Sequence, residues 1–147
     1  MLRVRWLGSV EYREAHDLQR RLFNASTDDH LLLLEHPHVF TGGPNADMSN
    51  LLTNPSTLGA TYERTDRGGD ITYHGPGQLT GYPVLSLPGS RGGGITETKA
   101  YVHQVEQVLI DALQDLGLKD CGRIARYPGV WVAPTSGQPR KIAAIGV

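Results

Sequence analysis

Residues 67–83 read RGGDITYHGPGQLTGYP, and we call this stretch the signature segment. It contains five glycines and two prolines among seventeen residues. Glycine allows positive φ angles and close backbone approach to a ligand, and proline fixes turns. The segment is therefore predicted to form the floor of a pocket, between strands predicted at residues 62–65 and 82–87.

Further elements are predicted on either side of the signature segment. An apolar run at residues 31–34 predicts a central strand that is buried on both faces and ends at Glu35-His36-Pro37. Apolar spacing predicts one helix from residue 11 to about Asn24 and a second from an N-cap at Thr96 to Gly117. The apolar face of the second helix is expected to comprise Tyr101, Val105, Val108, Leu109, Ala112 and Leu116.

The remaining elements are three strands and three loops. The strands are predicted at residues 2–7, 130–133 and 142–147. A long loop is predicted at residues 41–58, a flexible connector at residues 88–94 and a hairpin loop at residues 134–139. This order predicts an α+β class, a mixed α/β sheet with flanking helices.

Composition limits the classes of protein to which the chain can belong. At 147 residues it is expected to form one domain, and its formal net charge of −1 gives no general indication of nucleic-acid binding. A cluster of Arg123, Arg126, Arg140 and Lys141 could still face an acidic partner. The sequence has neither a signal-peptide pattern nor an apolar run that could cross a bilayer, so a cytoplasmic location and no membrane partner are predicted. The single cysteine, Cys121, excludes an internal disulfide and a cysteine-rich metal site.

Two other motifs accompany the signature segment. Leu33, Glu35, His36 and Pro37 precede it, and the runs PGVWV at residues 128–132 and KIAAIGV at residues 141–147 follow it. Together the motifs resemble, in order and over nearly the whole chain, the octanoyl-carrier-protein:protein octanoyltransferases, also called lipoyl(octanoyl) transferases. The resemblance implies the fold of the catalytic domains of biotin and lipoate protein ligases.

The resemblance also implies a reaction and its partners. Octanoyltransferases move an octanoyl group from acyl carrier protein to the ε-amine of a lysine on lipoyl domains. The acceptors would be the lipoyl domains of 2-oxoacid dehydrogenase complexes and the glycine cleavage H protein. An enzyme cysteine carries the acyl group and a lysine assists, with no cofactor. Such chemistry needs a thiolate, a stabilised oxyanion and a base for the acceptor amine.

Site residues follow from the resemblance position by position. Lys141 matches the family's lysine, which lowers the pKa of the catalytic cysteine and transfers a proton. Without the resemblance, a solvated lysine at a strand start would be the preferred interpretation. Ala144, Ile145 and Gly146 match a second binding segment. The acyl-binding run corresponds to Arg67, Gly68, Gly69, Asp70, Ile71, Thr72, Tyr73 and His74. Arg67 could orient a loop or contact the carrier arm, and His74 could be either a loop histidine or a lining of the acyl site.

Other chemically active residues are expected to be structural. His36 and His38 have the spacing of metal ligands but lack an evident third ligand, so no metal site is predicted. Trp6 and Trp131 are expected in the core or at its rim. The family's cysteine follows the lysine strand, where this sequence has no match, and Cys121 precedes the PGVWV motif. We therefore expect a C-terminally incomplete domain without competent covalent catalysis, and a structural role for Cys121.

Two alternative functions remain at the level of sequence. An ATP-dependent lipoate or biotin protein ligase would use the glycine-rich segment to position an acyl-adenylate, and ATP dependence would identify it. A non-catalytic module that binds acyl carrier protein or lipoyl domains would bind without turnover.

Overall fold

The computed structural model describes residues 1–86, 95–132 and 138–147, with the backbone alone for residues 95–97. Nine strands, two α-helices and two 3-10 turns are present in these ranges. In chain order they are β1 (Leu2–Ser9), α1 (Tyr12–Ala25), β2 (Asp29–Glu35), β3 (Val39–Gly42), the 3-10 turns Met48–Asn50 and Pro55–Leu58, β4 (Thr61–Arg64), β5 (Thr72–His74), β6 (Thr80–Val84), α2 (Ile95–Asp115), β7 (Cys121–Ile124), β8 (Tyr127–Val132) and β9 (Arg140–Ala143). Mixed sheets with helices confirm the predicted fold class.

The chain divides into two compact units, which are described separately. Unit 1 comprises Met1–Pro88 and unit 2 comprises Gly89–Val147. The single domain expected from chain length stays a prediction. The described residues contain two α-helices, α1 and α2, and neither is long and apolar enough to cross a membrane.

The first sheet of unit 1 has the order β1-β2-β6, with β1 parallel and β6 antiparallel to β2. The central place predicted for the apolar run 31–34 is confirmed. Leu32 and Leu34 are fully buried, together with Ala15 of α1. Burial on both faces was wrong, because Leu31 and Leu33 on the other face are only half-buried.

The second sheet of unit 1 has the order β4-β3-β5 and holds part of the signature segment. Strand β4 precedes the segment, as predicted, but β6 contains its last four residues, and residues Thr72–His74 within it form a strand of their own. This strand, β5, pairs antiparallel with β3 from Val39 to Thr41. Pairing with a strand about thirty residues away gives the glycine-rich residues a rigid support.

The loop predicted at residues 41–58 is more ordered than expected. Strand β3 extends to Gly42, and two 3-10 turns follow it. The side chains of Asp47 and Asn54 accept hydrogen bonds from the backbone N–H groups of Ser49 and Ser56 and so cap these turns. Short Asp and Asn side chains favour such local capping, which apolar periodicity cannot reveal.

Unit 2 packs α2 against an antiparallel sheet of order β7-β8-β9. Strand β7 was not predicted, since four residues that include a glycine carry little local signal and depend on pairing with β8. The strand predicted at residues 142–147 is present with other bounds, since it runs from Arg140 to Ala143 and residues 144–147 lie beyond it. Pairing stops at Val130 and Ala143, next to Gly129, whose φ of +116° turns the backbone of β8.

The predicted apolar face of α2 was partly wrong. Val108 and Leu116 are exposed, whereas Ile110 and the charged Glu106 are buried. The helix begins at Ile95, which places the predicted cap Thr96 inside it. Residues 88–94, Ala133 and most of the loop predicted at 134–139 lie outside the described residues.

Candidate functional site

Arg67 fastens the start of the signature segment to the end of β3. Its Nη2 donates to the carbonyl oxygen of Thr41 (3.0 Å), to Thr41 Oγ1 (2.7 Å) and to the carbonyl oxygen of Asp70 (3.0 Å). Thr41 is fully buried. Because the guanidinium is engaged within the loop, the geometry supports loop orientation, the first of the two roles predicted for Arg67.

Asp70 joins the signature segment to the first 3-10 turn. Its Oδ1 accepts hydrogen bonds from the backbone N–H groups of Asp47 (3.0 Å) and Ile71 (2.7 Å). Its Oδ2 accepts from the side-chain amide of Asn50. One carboxylate thus holds three donors from two segments. Asp70 is a loop anchor in this structure.

Close backbone contacts make Gly43 a requirement of the site. A Cβ atom there would lie 2.6 Å from the carbonyl oxygens of both Arg67 and Gly69. No side chain fits such a gap without moving backbone. The upstream motif contacts another part of the signature segment, because Glu35 Oε2 accepts a hydrogen bond from the backbone N–H of Gly77 (2.8 Å).

His36 is the fully buried centre of a neutral polar cluster in unit 1. Its Nδ1 lies 2.6 Å from the carbonyl oxygen of Val10, which can only accept, so Nδ1 carries the proton. Nε2 therefore accepts the hydroxyl hydrogen of Tyr82 at 2.8 Å. Burial lowers the pKa of His36 and raises the pKa of Tyr82, and both shifts favour the neutral forms. The predicted structural role of His36 agrees with this geometry.

His74 lies beside this cluster, with its ring 5.6 Å from the ring of His36 in an edge-on arrangement. Its Nδ1 is 2.7 Å from Gln78 Oε1, and the Gln78 amide nitrogen donates to the carbonyl oxygen of Tyr73. That orientation makes Nδ1 the donor and leaves a lone pair on Nε2. Burial lowers the pKa of His74, so the ring can accept a hydrogen bond or a proton at neutral pH.

The rest of the predicted acyl-binding run spans a range of exposure. Gly68 and Gly69 are exposed, and Gly69 has a φ of +96°. Ile71 and Thr72 are half-buried. Tyr73 is exposed, and its hydroxyl pairs with Nδ1 of His38.

Lys141 lies in unit 2, on β9. Its side chain is exposed, and Nζ lies 4.9 Å from the centre of the Trp131 ring. Trp131 is itself fixed, because its indole N–H donates to the carbonyl oxygen of Tyr127 (3.1 Å). Contact between an ammonium and an aromatic face restricts where the amine can lie. The predicted residues Ala144, Ile145 and Gly146 follow β9, outside any strand.

Cys121 has a structural environment in unit 2. It is half-buried at the start of β7, and its thiol donates to the carbonyl oxygens of Leu118 (3.2 Å) and Ile110 (3.9 Å). These contacts agree with the structural role expected for it. Within the described ranges, no group of three or more His, Cys, Asp or Glu side chains could hold a metal ion.

Several residues of the candidate site were not predicted. Thr41 and Asn50 contact the signature segment from distant positions in sequence, and Tyr82, at the end of that segment, contacts the distant His36. Only the folded chain brings these residues together. Glu106 did carry a signal. It lies four residues from Val102 and from Ile110, and an acid within an apolar helical face indicates a buried charge. Trp6, expected in the core or at its rim, is 60% exposed.

Comparison with known proteins extends these observations. The profile of the lipoyl protein ligase A/B catalytic domain matches residues 11–147. The chain is 46% identical to an octanoyltransferase of Solibacter usitatus, over 98% of this chain and 64% of that protein. It is 45% identical to an octanoyltransferase of Mycobacterium leprae, over 98% of this chain and 60% of the relative. The chain thus spans about 60% of the length of these curated relatives.

The fold also has a solved counterpart. Two structures of a T. acidophilum protein, assigned provisionally as a lipoate protein ligase, align with TM-scores of 0.58 and 0.59, and the second contains bound lipoic acid. Identity is 16% and 15%, over 84% of this chain and about half of that protein, so these structures support the fold alone. With a family profile that covers nearly all of its length, the chain belongs to the lipoyl protein ligase A/B catalytic domain family.

Proposed function

We propose that the whole protein is an octanoyltransferase that moves an octanoyl group from acyl carrier protein to the ε-amine of a lysine on lipoyl domains. The observation that carries this proposal is 45–46% identity to octanoyltransferases over 98% of this chain. The lipoyl domains of 2-oxoacid dehydrogenase complexes and the glycine cleavage H protein are the proposed acceptors, in the cytoplasm. This chain matches about 60% of the length of those octanoyltransferases, so their complete activity is a proposal for this protein.

The reaction consists of two acyl transfers. In the first, a cysteine thiolate attacks the thioester carbonyl of octanoyl-acyl carrier protein and the phosphopantetheine thiolate leaves. In the second, the acceptor amine attacks the new thioester, the cysteine thiolate leaves, and the amine's proton passes to a base. Both donor and intermediate are thioesters, so the reaction needs no ATP. We assign the role of base to Lys141, which accepts this proton as a neutral amine after its own proton has passed to the departing phosphopantetheine thiolate in the first transfer. The role of nucleophile is left unassigned within these 147 residues.

The signature segment is the proposed acyl-binding surface. Arg67 and Asp70 make three hydrogen bonds to the segment's own backbone and four to residues 41, 47 and 50, so its shape is set before substrate arrives. Half-buried Ile71 and Thr72 offer apolar surface to an alkyl chain. The lone pair on His74 Nε2 suits a substrate N–H, such as an amide of the phosphopantetheine arm, rather than an oxyanion.

The test is a transfer assay without ATP. Octanoyl-loaded acyl carrier protein and an apo lipoyl domain are mixed with this chain, or with this chain joined to the unmatched remainder of the S. usitatus octanoyltransferase, which we call the extended protein. Intact mass of the acceptor is then measured. An octanoyl gain from either form supports the proposal, and an acceptor whose target lysine is changed to arginine must gain nothing.

Two results would overturn the proposal. One is no gain from either form, and the other is a gain that requires ATP and free octanoate, which would identify a ligase. Lys141→Met tests the base directly, since it keeps the length of the side chain and removes the amine. Lys119→Met is the matched control, because Lys119 is an exposed lysine of the same unit whose amine donates to the carbonyl oxygen of Gln114.

A further inference from the structure

A buried carboxylate in unit 2 has no place in the proposed chemistry. Glu106 of α2 is 4% exposed, and both of its oxygens are engaged. Oε2 accepts from Nε of Arg123 on β7 (2.8 Å), and Oε1 accepts from the backbone N–H of Gly129 on β8 (2.8 Å). A buried ion pair contributes little net stability compared with an apolar pair of similar volume. The role of Glu106 is therefore better explained by the positions that it imposes on Arg123 and on the Gly129 N–H than by a gain in stability.

Arg123 fixes the direction of this carboxylate. Its Nη2 donates to the carbonyl oxygen of His103 (2.8 Å) and to Gln107 Oε1 (3.0 Å). The guanidinium thus bridges β7 to α2 at three points and holds Glu106 with one oxygen directed at Gly129. A side chain restrained in this way can position backbone precisely.

Gly129 lies where β8 meets the stem of Lys141. Its φ is +116°, and a Cβ atom there would lie 2.4 Å from the carbonyl oxygen of Ala143 and 3.4 Å from Cδ and Cε of Lys141. Two residues later on β8, Trp131 places its ring under the Lys141 ammonium and pairs with Lys141 in the sheet register. Any shift of β8 at Gly129 would therefore move both surfaces that confine the lysine.

We infer that Glu106 is a positioning residue for Lys141 and acts through the Gly129 N–H and the β8 backbone. The inference rests on the proposed function, in which Lys141 is the base that accepts the acceptor amine's proton. Glu106 itself touches neither substrate nor the reacting atoms in this assignment. Its contribution is to keep the Lys141 amine at one place over Trp131, since a displacement of about 1 Å can cost about 100-fold in rate.

The first measurement follows Lys141 directly by NMR. The chain contains three lysines, Lys99, Lys119 and Lys141, so lysine labelled with ¹³C at Cε gives three resolvable environments. The Lys141 signal should carry a ring-current shift from Trp131, which Trp131→Leu removes. In Glu106→Gln we expect the Lys141 signal to move toward its position in Trp131→Leu. An unchanged Lys119 signal would show that unit 2 is still folded.

The second measurement separates catalysis from binding. In the extended protein, Glu106→Gln is expected to lower kcat by about 10- to 100-fold with little change in KM for octanoyl-acyl carrier protein. Asp115→Asn is the matched control, because it makes the same carboxylate-to-amide change at an exposed position of the same helix and should alter neither quantity. If the Lys119 signal of the folded protein is lost in Glu106→Gln, the same measurements are made on Glu106→Asp. Aspartate keeps the negative charge, but its shorter side chain withdraws the carboxylate from Gly129.

The outcomes distinguish this inference from the proposed function. A Lys141 signal that stays at its original position in the folded variant, or a kcat equal to that of Asp115→Asn, would overturn the positioning role while transfer by the unsubstituted protein stands. No transfer by the unsubstituted extended protein would instead overturn the proposed function. The NMR shift would still report whether Glu106 positions Lys141.

Discussion

The two units stabilise their polar interiors in opposite ways. In unit 1 the buried His36 is paired with Tyr82 and the carbonyl oxygen of Val10, and every member of that cluster is neutral. In unit 2 the buried Glu106 is paired with a guanidinium and a backbone N–H. The stability of unit 1 should therefore depend on protonation of its neutral cluster, whereas the stability of unit 2 should fall when one partner of its ion pair is removed.

The two tryptophans allow the unfolding of each unit to be followed separately. Trp6 lies in unit 1 and Trp131 in unit 2, so a Trp131→Phe background reports on unit 1 and a Trp6→Phe background reports on unit 2.

Glu106→Ala should give the largest loss of stability. It leaves Arg123 without its carboxylate and the Gly129 N–H without its acceptor, and breaking a buried pair costs about 3–5 kcal/mol. Because the Arg123 side chain is 28% exposed, we expect the lower end, about 3 kcal/mol. Urea unfolding in the Trp6→Phe background, followed by Trp131 fluorescence, measures this. Asp115→Ala is the control, and a loss below about 1 kcal/mol would show that the pair is only weakly coupled to folding.

Gly43→Ala tests the tight packing that supports the signature segment in unit 1. The added methyl group would meet two backbone carbonyl oxygens at 2.6 Å, and neither can rotate away. Overpacking of this kind costs about 1–3 kcal/mol, and we expect about 2 kcal/mol. Trp6 fluorescence in the Trp131→Phe background measures it. Gly81→Ala, where a Cβ would make only an ordinary 3.5 Å contact with Leu33, should cause no loss, and equal losses at both positions would refute the packing argument.

Acidification should weaken unit 1 through its histidines. The folded-state pKa values of His36 and His74 are lowered by burial, so the unfolded chain binds protons first as pH falls. Their stabilising contribution is complete above the unfolded pKa of about 6.5 and is lost as pH falls toward the folded values. Each histidine contributes a slope of at most about 1.4 kcal/mol per pH unit.

A pH series of urea midpoints between pH 7.5 and 5.5 measures this slope. His74→Gln should reduce it, and His38→Gln, the same substitution at an exposed histidine of the same unit, serves as the control. Stability of unit 1 that rises on acidification would contradict the assignment of neutral histidines.

The contrast between the units also explains what the sequence could predict. Local patterns were sufficient for the central place of the run 31–34, for both helices and for the presence of strands β4 and β6. Strand β7 and the end of β9 depend on pairing partners, and pairing is decided by contacts distant in sequence. Apolar periodicity alone placed Val108 on the buried face of α2, because it gives no weight to a buried acid such as Glu106.

The candidate site shows the same limit. A resemblance of motifs identified Arg67, Asp70 and His74, but it could not indicate that Arg67 is engaged by Thr41 or that Asp70 holds Asn50. Those contacts form between segments about twenty residues or more apart, and they decide whether a charged side chain serves the loop or a ligand. The substrate-binding and catalytic roles of the predicted residues stay predictions.

Backbone strain should give the smallest difference in stability between the two units. In unit 1 every described residue with positive φ is a glycine, whereas in unit 2 Arg126 adopts a φ of 69° in the two-residue turn between Ile124 and Tyr127. A left-handed conformation costs a non-glycine residue about 1–2 kcal/mol, and the greater freedom of glycine in the unfolded chain offsets about 0.4–1 kcal/mol of that. Arg126→Gly should therefore stabilise unit 2 by about 0.5 kcal/mol in urea unfolding followed by Trp131. Arg126→Ala removes the same side chain but keeps the strained φ, so it should give no gain. Equal stabilisation by both substitutions would mean that the arginine side chain, and not the backbone, is the source of the strain.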